Sequence, residues 1–107
     1  MILNFTEIPT GERQLALKYD KEKISKLASE VFNALNSLEE LSNLQKDDFL
    51  GNKHIVASAK YFLIVAIEAS IDICNHIISM NRFRIPEDYA DTFRIMGEVK
   101  IIDRQFV

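Results

Sequence analysis

Residues 51–80, GNKHIVASAKYFLIVAIEASIDICNHIISM, decide the fold: the run contains no proline and its only glycine stands at its start. Its apolar residues do not make a single stripe. On a helix of 3.6 residues per turn, Ala59, Phe62, Leu63, Ala66, Ile67, Ile73, Cys74 and Ile77 fill one face, while Tyr61, Ile64 and Val65 fall on the opposite one. A helix that only covers a core needs one apolar face, so this one reads as central, from about 52 to 80, with neighbours on two sides. Glu68, Asp72 and His76 interrupt it at intervals of four, about 40° apart in succession on one strip. Two readings of that ladder stay open. It lines a cleft or a subunit seam, where Asp72 would hold His76 in one tautomer, or it is a solvated strip whose pairs contribute a few tenths of a kcal/mol each.

Working outward, the segment NRFRIP closes this helix at Pro86, whose ring also disfavours helical backbone at Ile85. Glu87 and Asp88 then place negative charge at the positive end of a helix expected over 87–96, with Tyr89, Ala90, Phe93 and Met96 as its buried stripe and Gly97 as its end. A further helix is expected to begin near Asp103. Upstream, Ile24, Leu27, Ala28, Val31, Leu35, Leu38 and Leu41 recur at spacings of three and four, which predicts a helix over about 20–46 with Asp20 as its N-cap. KDDFLGN, 46–52, reads as the connecting turn, with Gly51 free to take a positive φ and Phe49 and Leu50 over the end of the core. Residues 1–18 show no sustained period and form an N-terminal arm or extension, leaving 19–107 as the helical domain. The fold class is therefore all-α: an antiparallel bundle of three main helices plus the start of a fourth.

With 107 residues the chain buries only about two-thirds of its unfolded surface alone, which favours a dimer. A net charge of −3 argues against nucleic-acid binding by bulk electrostatics, though a local basic patch is compatible with it. The lone Cys74 excludes an intramolecular disulfide and fits a reducing, cytoplasmic setting. The longest apolar run, around Tyr61 to Ala66, falls short of the roughly 20 residues that span a bilayer, so no membrane segment is expected. Two histidines and one cysteine at no recognised spacing give no metal site, and no glycine-rich phosphate loop points to a cofactor. Arg82 and Arg84, with Asn75 nearby, are a candidate phosphate-binding pair; the alternative is that they complement the negative end of a helix dipole. Tyr89 and Phe93 are spaced for burial rather than for base stacking.

The run YFLIVAIEASIDICNHIIS, followed by IPEDYADTFRIMGEVKII, with YDKEKI at 19–24 and DFL at 48–50, resembles the HepT-like proteins of the HEPN superfamily. These are toxin halves of toxin–antitoxin pairs whose antitoxin is a minimal nucleotidyltransferase. The resemblance covers about 19–102. It implies a helical homodimer in the cytoplasm, acting as a metal-independent ribonuclease on RNA and bound by that nucleotidyltransferase. Members of this family carry an Arg followed four to six residues later by His, on a helix beyond the region matched here. His54 and His76 are the only histidines, and neither has an Arg at that distance before it. The chain thus reads as C-terminally short of the family pattern and catalytically impaired, with Glu68, Asp72 and His76 as the remaining polar seam. The alternative is a non-catalytic dimerisation module that binds the nucleotidyltransferase.

Overall fold

The computed structural model describes residues 17–101. Every regular element among them is a helix: α1 (Lys21–Ser42), α2 (Lys46–Leu50), α3 (Lys53–Met80) and α4 (Tyr89–Glu98). The all-α expectation holds. The described residues divide into two compact units, one made of Lys21–Ile73 and the other of 74–101 with 17–20; α3 runs unbroken through the boundary. The expected helix near Asp103 and most of the N-terminal arm lie outside the described residues.

In the first unit, α1 turns Ile24 and Ala34 fully inward and Leu27, Ala28, Val31, Leu38 and Leu41 halfway. It stops short of the expected residue 46. The N–H groups of Asn43 and Leu44 bond back to the carbonyls of Glu40 and Leu41 at 3.2 Å, and the Ser42 hydroxyl donates to the Glu39 carbonyl at 2.6 Å. Bonds of this i→i+3 type tighten the last turn and release the chain. The segment read as a turn is instead α2, with Asp47 and Asp48 in its first turn, where negative charge suits the dipole. Gly51 does not use a positive φ, since its φ is −79°. Glycine is required there for space: a Cβ would stand 2.9 Å from the Asp47 carbonyl oxygen. Asn52 then caps α3, its Oδ1 accepting from the N–H groups of His54 and Ile55 at 3.0 and 3.3 Å.

Along the first part of α3 the two-sided apolar pattern is only half used. Ala66 and Ala69 are buried, but Leu63 and Ile67, expected on the core face, are about as exposed as Ile64. The small residues take the inner positions, and the large ones remain outside. α3 is also long and apolar enough to cross a bilayer by length and composition, with a mean hydropathy of 1.6 in its most apolar window. The short-run criterion missed this, because Glu68 and Asp72 interrupt the run without lowering its average much. Buried core helices of helical bundles meet the same criterion.

In the second unit, Cys74, Ile77 and Ile78 of α3 are buried, Ile77 completely, and α4 buries Asp91, Thr92, Ile95, Met96 and Gly97. Of the stripe expected on α4 only Met96 is buried, and Tyr89 is 71% exposed. The cause is the cap. Asp88 is extended and its carboxylate accepts the Asp91 N–H at 2.7 Å, so the helix starts at Tyr89 and its inner face rotates to 91, 92, 95 and 96. Gly97 lies inside the helix and does not end it.

Both α3 and α4 finish in the same way. After α3, Phe83 N–H bonds to Ile78 O and Arg82 N–H to Ser79 O; after α4, Ile101 N–H bonds to Met96 O and Lys100 N–H to Gly97 O. This is the Schellman pattern, which places one residue in left-handed backbone and usually selects glycine. Here the position is held by Arg82, φ 55°, and Lys100, φ 63°.

The altered register of α4 has a measurable outcome. Met96→Ala should cost about 2–5 kcal/mol in a urea unfolding experiment, and Tyr89→Ala less than about 0.5 kcal/mol. Equal losses for the two would restore the register expected from the sequence.

Candidate functional site

The polar side chains of the second unit gather where α3 ends and α4 begins, and a long-range clamp organises them. The Arg84 guanidinium meets Asp91 with both forks, Nη1 to Oδ2 at 2.7 Å and Nη2 to Oδ1 at 2.8 Å. Its other edge meets Glu98, Nε to Oε1 at 3.0 Å and Nη2 to Oε2 at 2.8 Å. Asp91 and Glu98 stand seven apart on α4 and therefore share a face. Asp91 further accepts the Glu87 N–H at 2.9 Å and Arg94 Nη1 at 3.3 Å. One carboxylate thus ties the connecting segment to the first turn of the helix it precedes.

Electrostatics follow this geometry. The bonds from Arg84, and after them the Glu87 N–H, hold the Asp91 carboxyl well below the usual carboxylate range. In return Asp91, then Glu98, raises the Arg84 guanidinium further above its already high value. Arg84 is consequently spent on internal partners. Arg82, its companion in the sequence reading, is exposed and has no ion pair or side-chain hydrogen bond among the described residues. Burial pushes the Cys74 thiol up to about 11, which leaves it an unreactive neutral group at physiological pH.

The ladder of Glu68, Asp72 and His76 is divided in its surroundings. Glu68 and Asp72 are exposed and engage no partner among the described residues, whereas His76 is half-buried. His76 Nε2 accepts the backbone N–H of Asp20 at 2.8 Å. An accepting Nε2 carries no proton, so the neutral ring holds its hydrogen on Nδ1. One turn further on, Asn81 grips Lys18 from both sides, Oδ1 accepting the Lys18 N–H and Nδ2 donating to the Lys18 carbonyl, each at 2.8 Å. His76 and Asn81 together pin the extended stretch that leads into α1. Sequence reading missed Asn81 and the Asp91–Glu98 pair. The seven-residue spacing of two acids on α4 was the available signal; nothing local marked Asn81, whose partner is 63 residues away.

Among the described residues no three His, Cys, Asp or Glu side chains gather closely enough to hold a metal ion. Comparison with protein families finds one described as Ribonuclease HepT-like, matching residues 31–106, most of the chain. No curated protein and no solved structure matches it.

The clamp predicts an acid-side dependence of stability. Because folding lowers the Asp91 pKa, its contribution is complete above the unfolded value of about 3.9 and is lost as pH falls from there toward the lower folded value. Stability measured by urea unfolding between pH 6 and about 2.5 should decline less steeply at the acid end in Asp91→Asn than in the parent chain. The Asp91 carboxyl carbon, followed by NMR, should still report an ionised group at about pH 3.5.

Proposed function

This chain belongs to the HepT-like ribonuclease family, and from that membership we propose that it is the toxin-type subunit of a toxin–antitoxin pair, bound by a minimal nucleotidyltransferase antitoxin. The match over residues 31–106 is the observation that carries the reading, since it takes in α2, α3, α4 and half of α1. Members of the family are generally soluble, and a cytoplasmic setting suits a toxin directed at RNA.

The catalytic state follows from the histidines. His54 and His76 are the only two in residues 1–107, neither follows an Arg at the family spacing, and Nε2 of His76 is occupied by the Asp20 N–H. These residues therefore supply no Arg–His pair for in-line attack on a phosphodiester. We read residues 1–107 as impaired in RNA cleavage and active in assembly.

Self-association is supported by α3. Lys60, Leu63, Ile64 and Ile67 recur at the i, i+3, i+4, i+7 spacing of a helix-packing stripe, and the last three are each about half exposed. In a two-fold dimer such a stripe pairs with itself, and each Leu or Ile removed from water contributes about 1.5–3 kcal/mol. The absent motif and the exposed stripe also support a second reading, a non-catalytic dimerisation module that engages the nucleotidyltransferase.

Purified chain incubated with total RNA should leave the RNA intact on a denaturing gel, and should be retained on an immobilised cognate minimal nucleotidyltransferase. Reproducible cleavage abolished by His76→Ala would overturn the impaired reading. Failure of retention would remove the toxin–antitoxin assignment while leaving family membership untouched.

A further inference from the structure

The stretch that leads into α1 is held to the last turns of α3 at two points, and the two clasps differ in chemistry. Asn81 takes Lys18 from both sides, Oδ1 accepting its N–H and Nδ2 donating to its carbonyl, each at 2.8 Å. His76 Nε2 accepts the Asp20 N–H at 2.8 Å. We propose that His76 is an acid-released latch: protonation of its ring frees the Asp20 backbone, while Asn81 keeps Lys18 in place.

A carboxamide keeps its acceptor and its donors at any ordinary pH, but an imidazole does not. Nε2 accepts only while it carries no proton, and a protonated ring has two N–H donors and no acceptor. The bond to Asp20 therefore ends on protonation, because two N–H groups would then point at each other across 2.8 Å. Histidine is the side chain whose charge changes in the range of about pH 5–8, so the switch works under mild conditions. The ring is half-buried rather than sealed in, which lets a proton arrive without opening the core.

The charges nearby decide where the imidazolium turns. On α3, Asp72 stands one turn before His76, exposed and without a partner among the described residues, and Glu68 stands one turn before that. In the stretch that the ring holds, Lys18, Tyr19 and Asp20 are all exposed, and Lys21, Glu22 and Lys23 follow in the first turn of α1. α4 meets α3 at the neighbouring Asn75, which accepts the Thr92 hydroxyl at 3.5 Å. Its Asp91 and Glu98 are taken by Arg84, and its Arg94 by Asp91. Among the described residues no carboxylate lies at ion-pair distance from His76. The partner within reach of a charged ring is Asp72, four residues earlier on the same strip of helix. The neutral ring thus serves Asp20, and the charged ring is drawn away from it.

Amide hydrogen exchange of the full chain, read by NMR between about pH 8 and 5 and corrected for intrinsic exchange, tests this. Protection of the Asp20 amide should fall by about fivefold or more as His76 titrates, while Lys18 and the fully buried Ile77 hold within about twofold. His76→Gln, whose side-chain oxygen can stand in for Nε2 and does not titrate, should keep Asp20 protected across the range. His76→Ala should leave Asp20 unprotected at both ends with Ile77 still protected, which separates the lost latch from any loss of fold. Protection at Asp20 that stays constant in the parent, or falls as far in His76→Gln, overturns the proposal, as does an equal fall at Lys18. The readout needs neither RNA nor a partner, so the result is independent of the proposed toxin role.

Discussion

Helix α3 carries more apolar surface than the described residues cover, and the rest of the structure is arranged around that excess. Over its most apolar window only 39% is buried, although the mean hydropathy there is 1.6. Its two ends solve the problem differently. Near the C-terminal end Ile71, Ile73, Cys74, Ile77 and Ile78 are all buried, a face that covers nearly half of the helix circumference. Toward the middle, small residues such as Ala66 and Ala69 face inward and Leu63, Ile64 and Ile67 face water. A monomeric protein tolerates scattered apolar residues at its surface, but a regular stripe of them along one helix is the pattern of an unfilled packing position.

Polar groups at the far end of α3 have a different task. Arg84 carries four short contacts to two carboxylates, which fixes the segment between the helices and sets which face of α4 turns inward. His76 and Asn81 hold the approach to α1 by backbone contacts, a job that needs directional bonds rather than charge. Arg82, by contrast, is exposed and has no ion pair or side-chain hydrogen bond among the described residues.

Much of this architecture was legible in the sequence. The periods of three and four placed α1 and α3, and Pro86 placed the break, because both signals are local. The register of α4 was not legible, since it depends on Asp88 acting as a cap and on Asp91 being drawn inward by an arginine seven residues earlier. The partner of His76 was equally hidden: the ladder suggested Asp72, four residues away, while the bond comes from the backbone of Asp20, 56 residues away. A backbone N–H has no signature in the sequence. Which of the apolar residues on α3 would face water was also beyond local pattern, because Ala and Leu fit the same period and only packing decides between them.

The mass of the protein in solution tests the central claim most directly. Light scattering on the purified chain at micromolar concentration should give twice the 12.3 kDa of one chain, falling to one chain in a well-folded Ile64→Glu, Ile67→Glu variant. A parent protein that remains at 12.3 kDa across the accessible concentrations would mean that the α3 stripe pairs with no second copy, and the account of its excess apolar surface would be wrong.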